Sequence, residues 1–174
     1  MLKRWLAVVA LLLAVGAGAW FGLPQAQKKM AVGDTIRTFT LPDMKGAPQT
    51  LPQGQPMLVN FWATWCPPCR QEMPDMIRLY HTYQEQGLKI VAVSVDENST
   101  QLHDFVKKYQ VPFEVLNDAD SAVSSRYGVF RYPETFLVDK HGVVQAHLIG
   151  AIAWMSPKIR ADIESLLADK PLHH

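Results

Sequence analysis

The feature that most constrains this chain is a pair of cysteines, Cys66 and Cys69, at the junction of two different patterns. The preceding run, 57–63, is short and apolar, which predicts a buried strand, and an amphipathic helical pattern follows the pair. Pro67 is favoured at a first helical position, which puts Cys66 at the helix N-cap. Unpaired backbone N–H groups and the helix dipole stabilise a thiolate there. Cys66 is therefore the predicted nucleophile and Cys69 its disulfide partner.

Other uses of two cysteines must be weighed against this redox interpretation. A structural disulfide across so short a loop would constrain the unfolded chain by only roughly 2 kcal/mol. A structural zinc site needs four ligands, and the sequence has no second cysteine pair to supply them. A copper-carrying module could use both sulfurs as soft ligands, although the prolines within and beside the pair argue against it. We therefore expect a redox-active disulfide with no metal and no other cofactor.

Residues 61–69, Phe-Trp-Ala-Thr-Trp-Cys-Pro-Pro-Cys, resemble the active site of the thioredoxin superfamily. The likeness is closest to its membrane-anchored, reducing TlpA/ResA-like branch, above all the CcmG/DsbE type, and runs from about Met30 to the C-terminus. It implies a thioredoxin-like α/β fold, with a mixed central sheet flanked by helices, an N-terminal hairpin and a β-α insertion between Leu88 and Phe113. It also implies supporting roles for the neighbours Trp65, Pro67 and Pro68.

The N-terminal segment 1–23 predicts a membrane anchor. Its uncharged stretch, 5–23, is long enough for one transmembrane helix, and the positive charges before it keep the short end cytoplasmic. A cleaved signal peptide is the alternative, because Ala-Gly-Ala at 17–19 offers a small-x-small cleavage site. Both interpretations export the domain. We expect a single-pass inner-membrane protein with a tether at 24–30 and a thioredoxin-like domain, 31–172, on the periplasmic side.

Composition supports one globular domain with an appendage. The 174 residues are 48% hydrophobic and carry a formal net charge of +1. A nearly neutral balance gives no indication of nucleic-acid binding. The six histidines are scattered along the chain, and we interpret them as surface or turn residues rather than metal ligands.

Periodicity predicts the remaining elements. Residues 33–43 alternate as an edge strand or hairpin would, and glycines and prolines over 46–56 predict a loop. After the cysteines, Met73 and Met76 belong to a buried helix face, and Pro74 should kink that helix. The later elements are a buried parallel strand at 88–96, a helix at 98–109, a strand at 113–116, a helix at 119–127, a hairpin at 135–139 and 143–149, and a final helix at 156–168.

Pro133 opens a predicted strand, where a proline is unusual unless it takes the first position. The segment Pro-Glu-Thr-Phe-Leu-Val-Asp that it begins resembles the superfamily's motif, in which this proline is cis and packs against the cysteines. The resemblance implies that the backbone at Tyr132 pairs with an extended substrate segment. An ordinary trans proline at a strand start is the alternative.

Two glutamates are candidates for tuning the dithiol. Glu72 lies three residues after Cys69, on the same helical face, and Glu134 follows Pro133 directly. Both match glutamates near the cysteines in the CcmG/DsbE type, and negative charge there would raise thiol pKa values and favour a reducing couple. The alternative is a pair of solvated surface carboxylates. Asn60 stands where thioredoxin proper has a buried aspartate, so Glu72 is the nearest replacement for proton transfer.

Together these features predict an extracytoplasmic protein-disulfide reductase. Cys66 attacks a partner disulfide and Cys69 resolves the mixed disulfide. The resemblance implies apocytochrome c, before haem attachment, as client and a membrane electron donor of the DsbD/CcdA type as the source of reducing equivalents. A general periplasmic thiol reductase of the TlpA type is the alternative. An oxidant would need a strongly stabilised thiolate, and a peroxiredoxin would have a Thr-x-x-Cys context instead.

Overall fold

The structure is a computed structural model that describes Trp5 and residues 29–172. Apart from Trp5, the predicted anchor 1–23 lies outside the described residues. No helix within the described part is long and apolar enough to cross a membrane. In chain order the elements are β1 (Thr40–Pro42), β2 (Pro48–Thr50), β3 (Met57–Trp62), α1 (Pro67–Tyr83), a 3-10 helix (Gln84–Gln86), β4 (Lys89–Ser94), α2 (Ser99–Tyr109), β5 (Glu114–Asn117), α3 (Ala122–Tyr127), β6 (Glu134–Val138), β7 (Val144–Ile149) and α4 (Pro157–Leu167).

A five-stranded mixed sheet, in the order β5-β4-β3-β6-β7, organises the fold. Strands β3, β4 and β5 run parallel, whereas β6 pairs antiparallel with β3 and β7 pairs antiparallel with β6. A parallel pair needs a long crossover, which α1 provides between β3 and β4. The predicted mixed sheet, the parallel strand within 88–96 and the late hairpin are all confirmed.

The sheet separates two apolar cores, because successive side chains of a strand point to opposite faces. Leu58 and Trp62 of β3 pack on one side with the inner residues of α1, and we call this side the α1 face. Val59 and Phe61 pack on the other side with Tyr127 of α3, and we call it the α3 face. Met73 and Met76 are buried on the α1 face, as predicted for a core stripe; α1 continues through Pro74.

Two local features differ from the sequence prediction. The predicted loop 46–56 contains β2, which pairs with β1 as an antiparallel hairpin. Pro48 is tolerated there because it takes the first position of a short, exposed edge strand, where no ladder N–H is needed. Met30, assigned to the tether, is buried at 3% exposure, and its N–H donates to Tyr127 O over 3.0 Å. Packing of the domain therefore includes a residue before the predicted boundary.

Candidate active site

The cysteine pair lies where β3 ends and α1 begins. Cys66 takes the N-cap position with extended backbone, and Pro67 and Pro68 occupy the first helical positions, as predicted. Cys69 N donates to Cys66 Sγ over 3.3 Å, and a disulfide joins the two residues. Cys66 keeps 4% exposure, whereas Cys69 is fully buried. Of the two sulfurs, that of Cys66 is the one that a partner can approach.

Asp96 holds the turn that leads into this helix. The Thr64 backbone N–H and hydroxyl donate to its two carboxylate oxygens over 2.9 and 2.6 Å, and the Ser94 hydroxyl donates over 2.7 Å. These bonds fix the chain just before Cys66. We did not identify Asp96 from sequence, but its position offered a signal. It follows β4, and in open α/β sheets functional groups gather at the carboxyl ends of neighbouring strands.

The predicted cis peptide bond is present between Tyr132 and Pro133. Tyr132 O lies 3.5 Å from Cys66 Sγ. The disulfide sulfur has no hydrogen, so this contact becomes a hydrogen bond only when Cys66 is a thiol. The Trp65 ring, 60% exposed, meets the Tyr132 ring edge-on at 5.9 Å between centroids. An exposed aromatic surface therefore borders the accessible sulfur.

Glu72 is buried, at 4% exposure, which excludes the alternative of a solvated surface group. Its Oε2 accepts hydrogen bonds from Ile152 N at 2.9 Å and from Trp154 Nε1 at 3.2 Å. Burial raises the pKa of Glu72 to about 7, although these hydrogen bonds act in the opposite direction. Near neutral pH the group therefore exists in both protonation states, which suits a residue that transfers protons.

Asn60 joins Glu72 to the central sheet. Its Nδ2 donates to Glu72 Oε1 over 3.3 Å and to Thr135 Oγ1 over 2.9 Å, and Asn60 itself is fully buried. Glu72 is one helical turn from Cys69, where Cβ atoms lie about 5–6 Å apart. Asn60 and Glu72, the residue predicted to replace an aspartate at position 60, thus form one buried polar group. Helical spacing puts the Glu72 carboxyl on the same face of α1 as the buried Cys69 thiol.

Glu134 lies elsewhere. It pairs with Phe61 across β3 and β6, so its side chain points to the α3 face, away from α1. There it is buried at 5% exposure, and its Oε2 is 2.7 Å from His147 Nε2. The expectation that Glu134 sits beside the cysteines is therefore not met. The structure gathers the other predicted residues around the pair: Asn60, Trp65, Pro67, Pro68, Glu72 and Pro133.

Two residues of the loop after β7 reach Glu72 and were not predicted from the sequence. Ile152 acts through its backbone N–H, which no residue pattern reveals. Trp154 offered a weak signal, since a buried tryptophan needs a partner for its indole N–H. Within 29–172, no three His, Cys, Asp or Glu side chains are grouped as metal ligands would be.

A thioredoxin-like sheet that presents an N-capped Cys-Pro-Pro-Cys pair to a cis-proline defines a thiol-disulfide oxidoreductase. Comparisons agree. Residues 32–147 match the model of the AhpC/TSA family. Thiol-disulfide oxidoreductase ResA of Geobacillus thermodenitrificans is 34% identical over 168 residues, covering 95% of each protein. Thioredoxin-like protein YneN of Bacillus subtilis is 35% identical, covering 94% of this chain and 100% of YneN.

Solved structures give the same result. A crystal structure from Chlorobium tepidum, assigned as a thiol:disulfide interchange protein DsbE, superposes with a TM-score of 0.74 at 29% identity. The superposition covers 80% of this chain and 99% of the Chlorobium tepidum chain. The chain belongs to the AhpC/TSA family. It is a thiol-disulfide oxidoreductase of the ResA/DsbE type, and Cys66 and Cys69 are its Cys-x-x-Cys pair.

Proposed function

We propose that this protein is a membrane-anchored, extracytoplasmic reductant of disulfides in exported proteins, with apocytochrome c before haem attachment as its client. The observation that carries the proposal is the buried carboxyl of Glu72, one helical turn from Cys69, with a pKa of about 7. Negative charge at this distance disfavours the thiolate and so destabilises the reduced pair. A less stabilised dithiol is a stronger reductant.

The reaction begins with the reduced pair. The Cys66 thiolate attacks one sulfur of the client disulfide, forms a mixed disulfide and releases the other client sulfur as a thiolate. Glu72 accepts the proton of the buried Cys69 thiol, and the resulting thiolate attacks Cys66 Sγ. The second client sulfur leaves and is protonated. The client gains two electrons, and the protein ends with the Cys66–Cys69 disulfide.

The client binds along the backbone at Tyr132, beside the accessible sulfur of Cys66. Tyr132 O lies beside Cys66, and the backbone there can pair with an extended client segment in the manner of an added strand. Trp65 contributes an exposed aromatic side chain next to Tyr132. An extended segment fits a client such as apocytochrome c, whose Cys-x-x-Cys-His motif must be reachable and reduced before haem is attached.

Location and electron supply complete the proposal. Residues 1–23 would hold the domain on the periplasmic side of the inner membrane. Each turnover leaves the pair oxidised, so a membrane electron donor of the DsbD/CcdA type would have to reduce it again. Such a donor delivers electrons where the anchor holds the domain.

Mixed-disulfide trapping tests the client. A Cys69→Ala variant of the full chain cannot resolve the intermediate, so it should accumulate client bound to Cys66; a Cys66→Ala variant is the matched control and should capture nothing. We expect the captured proteins to carry Cys-x-x-Cys-His. Capture of exported thiol proteins without that motif would indicate a general reductase instead.

The redox potential tests the direction of the reaction. Equilibration of the wild-type pair with glutathione should give a value closer to about −270 mV than to about −120 mV, the value of a strong periplasmic oxidant. A potential near the latter value would contradict a reductant.

A further inference from the structure

A cleft of about 340 Å³ lies on the α3 face, next to the first residues of the continuous described segment. Two apolar side chains that line it are exposed, Phe130 at 66% and Ile149 at 57%. Two exposed cations, Lys29 and Arg131, line the same cleft. Lys29 Nζ is 5.9 Å from the centre of the Phe130 ring. We call these four residues the Phe130 patch.

The chain enters the domain at this patch. Met30 is buried, and its backbone is hydrogen-bonded to Tyr127 O. Lys29 crosses Gly128 so closely that a Cβ on that residue would lie 2.5 Å from Lys29 Cγ. A glycine, which also has a positive φ of +77° here, permits this approach. The entry point is therefore fixed against the domain beside Phe130.

The distance from this point to the apolar stretch is short. Residues 24–28 separate position 23 from Lys29, and an extended chain covers at most about 3.6 Å per residue, or about 20 Å in all. A domain of roughly 140 residues has a radius of gyration of about 15 Å and is about 40 Å across. With residues 5–23 in a bilayer, the side opposite the Phe130 patch is too far away to touch the lipid. The surface that can touch the lipid is the part within about 20 Å of the Phe130 patch.

We propose that the Phe130 patch is a membrane-contact face, with Phe130 and Ile149 among the lipid headgroups and Lys29 and Arg131 on anionic headgroup phosphates. The inference rests on the anchoring proposed above. Bulky apolar side chains flanked by lysine and arginine are typical of surfaces that lie in the lipid–water interface. Lys28, which precedes the described segment, adds a third positive charge in sequence.

Spin-label accessibility in lipid nanodiscs tests the proposal on the full chain, with the native disulfide kept intact. One label is placed by Phe130→Cys and a control label by Gln86→Cys, at an exposed residue beyond the far end of α1. In discs with anionic lipid, we expect the label at 130 to collide about threefold less with an aqueous nickel complex than the control. It should also collide more with oxygen, which concentrates in lipid.

Charge reversal at Lys29 and Arg131, each to Glu, should return the label at 130 to the aqueous accessibility of the control in anionic discs. Equal nickel accessibility at 130 and 86, in a protein that co-floats with the discs, would overturn the inference and leave the anchoring intact. Protection at 130 that requires added client or donor would also overturn it, because the patch would then bind protein. A full chain that does not co-float would contradict the anchoring itself, and the inference with it.

Discussion

Two buried glutamates, one on each face of the sheet, show how position decides what a carboxyl can do. Glu72 and Glu134 are almost equally inaccessible, at 4% and 5% exposure. Among residues 29–172, Glu72 meets only neutral donors, whereas Glu134 Oε2 lies 2.7 Å from a histidine nitrogen. The first is therefore suited to exchanging protons with the dithiol. The second joins β6 to β7 through His147.

Burial without a cation explains the raised pKa of Glu72. Removing a carboxylate from water is costly, and three hydrogen bonds to neutral groups offset only part of that cost. The carboxyl consequently titrates near neutral pH. Such a group can hold a proton or accept one under physiological conditions, and it lies behind the buried sulfur that has to lose a proton during resolution.

A second carboxylate beside Glu72 should have the largest effect on the α1 face. Asn60→Asp replaces the amide donor 3.3 Å from Glu72 Oε1 with a like charge in a fully buried position. We expect a loss of about 3–5 kcal/mol in the free energy of unfolding at pH 8, as for other uncompensated buried charges. Most of it should return at pH 5, where the carboxyls are protonated. Urea unfolding of the oxidised proteins measures both values.

Asn60→Ala is the matched control, because it removes the same donor without adding charge. Its loss of stability should grow from pH 5 to pH 8 by far less than that of Asn60→Asp, because the lost amide stabilised the ionised Glu72 carboxyl by one hydrogen bond alone. A loss for Asn60→Asp that depends on pH no more strongly than this control would mean that charge repulsion is not its cause.

Removal of the Glu72 charge should abolish a pH dependence of stability. The native state raises the pKa of this carboxyl from 4.5 to about 7, so it binds the proton more tightly than the unfolded chain does. The contribution of Glu72 to the free energy of unfolding is complete below pH 4.5. It is lost as the pH rises through 7, by up to about 3 kcal/mol. Glu72→Gln keeps an acceptor for Ile152 N and Trp154 Nε1, yet its stability should stay flat over that range.

The measurement is urea unfolding of the oxidised protein at several pH values, where the cysteines do not titrate. Equal slopes for wild type and Glu72→Gln between pH 5 and pH 8 would show that another group is responsible.

A substitution on the α3 face should change the free energy of unfolding least. His147→Gln weakens the contact with Glu134 Oε2 at a partly exposed residue, where we expect a loss of about 1 kcal/mol in the free energy of unfolding. Thermal or urea unfolding checks it. The alkylation rate of Cys66 should not change, since the pair lies across the sheet. A change in that rate as large as the one caused by Glu72→Gln would remove the distinction between the faces.

Local signals explain what the sequence predicted correctly. The N-cap position of Cys66 follows from Pro67 and the strand-to-helix switch, and the place of Glu72 one helical turn after Cys69 follows from helical spacing. The cis bond before Pro133 came from resemblance to a known motif. Each of these depends on neighbours within a few residues of the chain.

The incorrect or missing predictions concern the sheet face on which a side chain lies and contacts between residues far apart in sequence. Glu134 adjoins Pro133, but along a strand adjacent side chains alternate, and the pairing with Phe61 assigns Glu134 to the far face. Trp154 reaches Glu72 across 82 positions of sequence, and no pattern specifies such a contact. Strand β2 lies within the predicted loop 46–56. Its first residue is Pro48, and proline is typical of loops, but no backbone N–H is needed at that position of an edge strand.

The most direct test of the account compares the two glutamates on the thiol itself. Iodoacetamide reactivity of Cys66 against pH is measured in the reduced wild type, in Glu72→Gln and in Glu134→Gln, with mass spectrometry to confirm which cysteine is alkylated. We predict that Glu72→Gln lowers the apparent pKa of Cys66 by about one unit, equivalent to about 1.4 kcal/mol, and that Glu134→Gln shifts it far less. Equal shifts in the two variants, or no shift in either, would contradict the central claim that the buried carboxyl on the α1 face tunes the dithiol.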